Sequence, residues 1–255
     1  MNQIETLFQQ KPNNIFSIYF TAGYPEKNST VSILQELEQA GVDLVEVGIP
    51  FSDPVADGPV IQQSSQQAIE NGMTLKLLLQ QLKEARKTVS IPLILMGYLN
   101  PILQMGLENF CREAEEAGVA GLIIPDLPLD QVQSEYKSLF EKHGLANILL
   151  ITPQTSDERI LQIDAASNGF VYMVSSSSTT GVKKGLSAEQ LHYFERIQKL
   201  QLKNPQLIGF GIGDHASFST ACSHANGAIV GSAFIKALNN QLPIADFVRS
   251  LRGKS

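Results

Sequence analysis

One acidic residue stands where ordinary core packing would not put it, and a second follows in a stiff loop. Glu46 interrupts an apolar run, Leu44-Val45-Glu46-Val47-Gly48-Ile49-Pro50. Side chains alternate faces along a strand, so Glu46 points away from Val45 and Val47. A carboxylate packed without a partner is costly on either face of a covered strand. At the open end of such a strand a carboxyl is partly desolvated, which raises its pKa and suits it to proton transfer. The other reading is an ion pair with a cation from a neighbouring strand, but no other apolar run of this chain carries Lys or Arg. Asp57 follows in Pro50-Phe51-Ser52-Asp53-Pro54-Val55-Ala56-Asp57-Gly58-Pro59, where prolines and a glycine stiffen the loop. A rigid backbone is what a positioned carboxylate needs. Asp before Pro and Asp before Gly are also ordinary turn pairs, so both readings of Asp53 and Asp57 stand at this point.

A second chemistry lies in glycines. Gly209-Phe210-Gly211-Ile212-Gly213 ends one apolar run, and Gly231-Ser232-Ala233 ends the next. Glycine lets backbone N–H groups approach an anion closely, and a helix N-terminus beside them favours phosphate. Ser232 could donate its hydroxyl or cap the following helix. Thr180-Gly181 could close the cradle from a third side. Two clusters on adjacent runs favour phosphate binding over plain turns. No GxxxxGK[ST] run and no GxGxxG after the first strand is present, so a nucleotide cofactor is not indicated. The four histidines (143, 192, 215 and 224) are scattered, only His215 lies just past a strand end, and no metal site is expected.

The elements that must position these groups alternate along the whole chain. Apolar runs at 15–20, 44–50, 91–98, 121–127, 146–152, 169–175, 206–212 and 227–232 are rich in Ile, Leu and Val. Consecutive apolar residues mark strands buried on both faces, as in a parallel sheet covered by helices. Helical spacing predicts helices at 29–40, 75–88, 107–117, 129–143, 157–166, 187–202, 215–224 and 234–251, several closed by glycine. Eight strand–helix pairs with no break in composition predict an α/β fold, a single-domain (β/α)₈ barrel over residues 1–255. An open doubly wound sheet is the rival. A short extra helix at 2–9 would plug the bottom of the barrel. Two connections are long, 51–74 and 176–187, and both leave C-terminal strand ends, where barrel enzymes place their sites. The first reads as a structured catalytic and partner loop, the second as a mobile lid.

The totals fit this. With 255 residues, 43% hydrophobic and 17% charged, the chain can bury one large core. A net charge of −6 without a basic face argues against nucleic acid. No run approaches the roughly 20 apolar residues of a membrane span, and the first residues do not read as a signal peptide. Cys111 and Cys222, far apart, are expected as small helix residues in a reducing cytoplasm.

The segment from Glu46 to Pro59 resembles the signature of tryptophan synthase alpha subunits. So do Phe20-Thr21-Ala22-Gly23-Tyr24-Pro25, Met96-Gly97-Tyr98-Leu99-Asn100-Pro101, Ile123-Ile124-Pro125-Asp126-Leu127-Pro128, Tyr172-Met173-Val174-Ser175, Thr179-Thr180-Gly181 and both glycine clusters. The resemblance spans essentially the whole chain. It implies a lyase that cleaves indole-3-glycerol phosphate to indole and glyceraldehyde 3-phosphate. Glu46 would be the general acid–base, and Asp57 would accept a hydrogen bond from the indole N–H. Tyr172 would line the pocket beside the glycerol chain, and Tyr19, Met96, Ile123 and Phe210 would surround the indole ring. Thr180, Gly181, Gly211, Gly231 and Ser232 would hold the phosphate. It also implies a partner, a pyridoxal-phosphate beta subunit in an alpha2beta2 tetramer, coupled through Asp53 and Pro54, with no cofactor in this chain. Ser175-Ser176-Ser177-Ser178 departs from the family pattern, lacking the arginine many members carry after the first Ser. The rivals are a barrel enzyme acting on another phosphorylated substrate, an inactive activating subunit, and a free lyase.

Overall fold

A computed structural model describes residues 2–175 and 187–253. Its strands are β1 Ile15–Thr21, β2 Leu44–Gly48, β3 Leu93–Met96, β4 Gly121–Ile123, β5 Ala146–Ile151, β6 Val171–Val174, β7 Gln206–Gly209 and β8 Gly227–Val230. Each pairs in parallel with the next, and β8 pairs with β1 to close a barrel. That last ladder, Ile15↔Gly227 to Ile18↔Val230, excludes the open sheet. Gly227 permits it: a Cβ there would lie 2.2 Å from the Ile15 carbonyl oxygen.

The predicted strands are found, each shorter at its C-terminal end except β1, because apolar residues continue past the ladder into the mouth. The helices are α1 Gln3–Gln10, α2 Ser29–Gln39, α3 Pro59–Glu70, α4 Leu75–Ala85, α5 Leu99–Met105, α6 Leu107–Glu116, α7 Leu129–Gln131, α8 Lys137–Lys142, α9 Asp157–Ala166, α10 Ala188–Leu200, α11 His215–His224, α12 Ser232–Asn239 and α13 Ile244–Arg252. Three expectations need correction. The 51–74 connection is half helix: Gly58 and Pro59 start α3, which buries Ile61, Ser64, Ser65 and Ala68 at helical spacing. The helix expected at 129–143 has a π-helical turn, Val132–Tyr136, between α7 and α8. The one expected at 234–251 is two, because Pro243 cannot continue the first and instead stands as N-cap of α13. The lid expected at 176–187 lies outside the described residues up to Ser187, which caps α10 with Gln190 in a capping box.

Strand alternation separates two cores. Outward residues such as Phe16, Ile18, Val45, Val47, Leu95 and Met173 pack under the helices. Inward ones form a second cluster with Ile15, Tyr19, Leu44, Ile94, Ile123, Ile148, Phe170, Tyr172, Leu207 and Ile229. The expected plug is present. Ile4 and Phe8 of α1 join the inner cluster, Phe8 meets Phe170 at 6.1 Å, and the Asn2 amide donates to the Ala120 and Gly144 carbonyls at 2.7 and 2.6 Å. The bottom of the barrel is therefore closed by α1. Cys111 and Cys222 are free, one buried in α6 and one half-buried in α11. Among the described residues no helix is long and apolar enough to cross a membrane.

Candidate active site

Glu46 sits on the inward face of β2, in register with Tyr19 of β1 and Ile94 of β3. It is fully buried. Ser17 Oγ donates to Oε1 at 3.3 Å, and Oε2 has no partner. No cation pairs with it among the described residues, so the ion-pair reading of the sequence does not hold. Burial pushes the Glu46 carboxyl up to about 8, against the opposing hydrogen bond from Ser17. A group that titrates near neutrality can both give and take a proton at working pH.

Asp57 is placed by the loop after β2. Tyr98, just past β3, donates its hydroxyl to Asp57 Oδ2 at 3.0 Å and accepts the Ala56 N–H at 3.0 Å. Gln62 of α3 donates to the Asp57 carbonyl at 2.8 Å. Upstream, the Phe51 ring packs on Tyr98 at 5.2 Å, and Ser65 binds both the Phe51 N–H and carbonyl. The Asp57 carboxyl is raised above its ordinary value by burial, opposed by the Tyr98 hydrogen bond.

Two phenols feel the fields of both acids. Tyr19 and Tyr172 are buried, and both are raised far above the usual tyrosine range, first by burial and then by the fields of Asp57 and Glu46. Glycines make their places. A Cβ at Gly48 would lie 2.2 Å from the Tyr19 hydroxyl, and one at Gly209 2.1 Å from that of Tyr172. Met96, Ile123, Tyr19 and Tyr172 belong to the inner cluster, with Phe210 packed against it and set edge-on to Tyr172 at 6.2 Å. The five residues expected around a substrate ring and its chain therefore share one apolar chamber, with the two carboxyl groups at its wall.

Beside the chamber, Phe210 and Gly211 both take positive φ, 68° and 77°, and Ser175 Oγ donates to the Phe210 carbonyl at 2.5 Å. Gly213, two residues on, lies near the first turn of α12, where a Cβ on it would meet the Ala233 side chain at 3.6 Å; the N-cap of that helix is Gly231. Ser232 does not cap the helix; it is the first helical residue and is exposed. The first-turn N–H groups have no partner inside the helix, as an anion site requires. Thr180 and Gly181 lie outside the described residues. Asp53 is exposed, bonded to Ser52, and borders with Pro54 a shallow cleft against Gln62 and Gln66. His215 opens α11 and binds the Leu251 carbonyl through Nδ1 at 2.8 Å, a structural role. No group of three or more His, Cys, Asp or Glu among the described residues could hold a metal ion.

Sequence reasoning gave Ser17, Tyr98 and Asp126 no role. Asp126 accepts the Leu99 N–H at 2.9 Å, capping α5 from the end of β4. The signal for Ser17 was available: it is a polar residue two positions from Tyr19, hence on the same face. Tyr98 stands likewise two positions beyond Met96.

The model of the tryptophan synthase alpha chain family matches residues 6–249. The tryptophan synthase alpha chains of Flavobacterium psychrophilum and Flavobacterium johnsoniae are 58% and 57% identical to this chain, covering 98% and 99% of it and all of their own length. Among solved structures, tryptophan synthase from Mycobacterium tuberculosis superposes with a TM-score of 0.90 at 30% identity, over 99% of this chain and 98% of that one. Tryptophan synthase subunit alpha from Legionella pneumophila does so with a TM-score of 0.88 at 33% identity, over 100% and 98%.

Proposed function

The chain belongs to the tryptophan synthase alpha chain family, and from that premise we propose that the chamber at the mouth of its barrel is the active site, with Glu46 moving the protons. The reaction is the reversible retro-aldol cleavage of indole-3-glycerol phosphate to indole and D-glyceraldehyde 3-phosphate. The chain carries no cofactor; pyridoxal phosphate belongs to the beta subunit that receives the indole in an alpha2beta2 complex. We read all of 1–255 as one barrel and place its work in the cytoplasm.

The observation that carries the assignment is the Glu46 carboxyl, buried with one oxygen unpartnered among Tyr19, Tyr172 and Asp57. Protonated Glu46 gives its proton to indole C3, making a cationic indolenine. Asp57 accepts a hydrogen bond from the ring N–H and stabilises that charge. The carboxylate left on Glu46 then takes the C3′ hydroxyl proton, the carbon–carbon bond breaks, and its electrons restore the neutral indole. Tyr172 lines the glycerol chain, while Tyr19, Met96, Ile123 and Phe210 enclose the ring. Gly211, Gly231 and Ser232, with Thr180 and Gly181, hold the phosphate. Asp53 and Pro54 couple the site to the beta subunit.

The test is indole release from indole-3-glycerol phosphate by the purified chain, with and without a beta subunit. Weak release alone and strong release with the partner is expected. Equally strong release without it would make the chain a free lyase. No release by folded protein in either condition would remove the chamber from this chemistry.

A further inference from the structure

Ser17 is a polar residue in an otherwise apolar layer of the barrel. It is fully buried on the inward face of β1, in register with Leu44 on one side and Ile229 on the other. Its layer lies one step below that of Glu46, whose partner on β1 is Tyr19. Its hydroxyl donates to Glu46 Oε1 at 3.3 Å, from the closed side of the barrel rather than from the mouth. Glu46 Oε2 has no partner at all.

A serine hydroxyl suits both states of a carboxyl that must give and take a proton. When Glu46 is ionised, both oxygens only accept. When the proton sits on Oε2, Oε1 is the carbonyl oxygen and still accepts. The Ser17 bond therefore survives the proton's arrival and departure, and it leaves a single oxygen to carry it. We infer that Ser17 is a positioning residue for Glu46: it holds Oε1 from beneath and makes Oε2 the oxygen that exchanges the proton with the substrate. This rests on the reading of Glu46 as the acid–base group.

The other titratable groups around Glu46 are Tyr19 from β1, Tyr172 from β6 and Asp57 from the loop after β2, while β3 contributes Ile94 and β8 Ile229. Both phenols stay protonated through ordinary pH, so among the described residues of the chamber Glu46 and Asp57 are the two that titrate. A hydroxyl donor favours the ionised form, so its loss must raise the Glu46 midpoint.

The experiment compares the wild-type chain with Ser17→Ala, Ser17→Thr and Glu46→Gln, each in complex with a beta subunit. Two readouts are taken: the pH profile of indole release, and titration of the Glu46 carboxyl by ¹³C NMR, its signal identified by loss in Glu46→Gln. In Ser17→Ala both midpoints should rise by about one pH unit, the scale of one hydrogen bond to a charged group. Turnover should fall roughly two- to tenfold with KM little changed, a modest slice of general acid–base catalysis. Ser17→Thr should return both midpoints toward wild type. A carboxyl signal and a pH limb that stay in place in Ser17→Ala would overturn the inference. Near-normal turnover by Glu46→Gln would instead remove the acid–base reading beneath it, a separate result.

Discussion

Tyr98 and Asp57 are joined across the mouth of the barrel, the phenol of one donating to the carboxylate of the other at 3.0 Å while it receives the Ala56 N–H. One hydroxyl thus holds both the backbone and the side chain of the loop that carries Asp57. Tyr98→Phe keeps the ring contact with Phe51 and removes only this clasp. Turnover should fall by about tenfold, since small misplacements of a catalytic group are costly. The Asp57 carboxyl, no longer stabilised as the anion, should titrate higher. Steady-state indole release together with a carboxyl titration checks both; an unchanged Asp57 midpoint would show that the clasp does not persist in solution.

Glu46→Gln and Asp57→Asn should each lower turnover by at least about a hundredfold, the scale of losing a general acid–base or a charge partner in the transition state. With Glu46 protonated at the start of the reaction, kcat/KM should fall as pH rises through about 8. Indole release measured from pH 6 to 10 reports this limb, and its survival in Glu46→Gln would assign it elsewhere.

The same carboxyl makes a stability prediction in which Glu46→Gln gains where its turnover is lost. Its folded pKa, about 8, lies above its value in the unfolded chain, near 4.5. Between those values the native state holds a proton that the unfolded state has lost, so stability falls as pH rises through this window. Glu46→Gln has no such proton. It should melt higher than wild type at pH 8.5, by an amount worth a few kcal/mol, and nearly level with it at pH 4.5. Thermal melts of the two chains at both pH values decide it; a gap independent of pH would mean that Glu46 is not desolvated in the free protein.

Gly48→Ala and Gly209→Ala place a Cβ 2.2 and 2.1 Å from the hydroxyls of Tyr19 and Tyr172. Each must drive its phenol out of the chamber, and indole release should fall at least about tenfold, in line with a displaced contact beside the reacting atoms. Gly213→Ala meets only the Ala233 side chain, at 3.6 Å, and serves as the control that should stay near wild type. Equal loss in all three would point to general destabilisation.

Pro54 stands in the loop that links β2 to α3 beside exposed Asp53 and Val55, the latter 83% exposed. Pro54→Ala frees this backbone, the segment proposed to couple the site to the beta subunit. Activation by a beta subunit should drop several-fold while inhibition by free glyceraldehyde 3-phosphate, a measure of the phosphate cradle, stays unchanged. A shift in that inhibition with activation intact would reverse the assignment.

The fold was legible in the sequence wherever burial acts on local pattern. Runs of Ile, Leu and Val at 44–50 or 146–152 mark strands covered on both faces, whatever their neighbours, and the glycine and cap residues mark most helix ends. Glu46 stood out for the same reason, because an acid in such a run needs either a paired cation or an open strand end, and no other run offers the cation. What lay beyond the sequence depends on pairs distant in the chain. Closure required Ile15 to lie against Gly227, and α3 was hidden because its buried face includes Ser64 and Ser65, polar residues whose partners are Thr21 and Phe51. Whether Asp57 was a turn residue or a positioned carboxylate could not be settled by its own loop, whose prolines fit both. Tyr98, 41 residues away, supplies a hydrogen bond to that carboxylate which the loop's own sequence does not show. Residue type and period determine what must be buried. Only the closed barrel determines which buried groups meet, because the field, the hydrogen bond and the missing partner at Glu46 are properties of the neighbours that the fold brings to it.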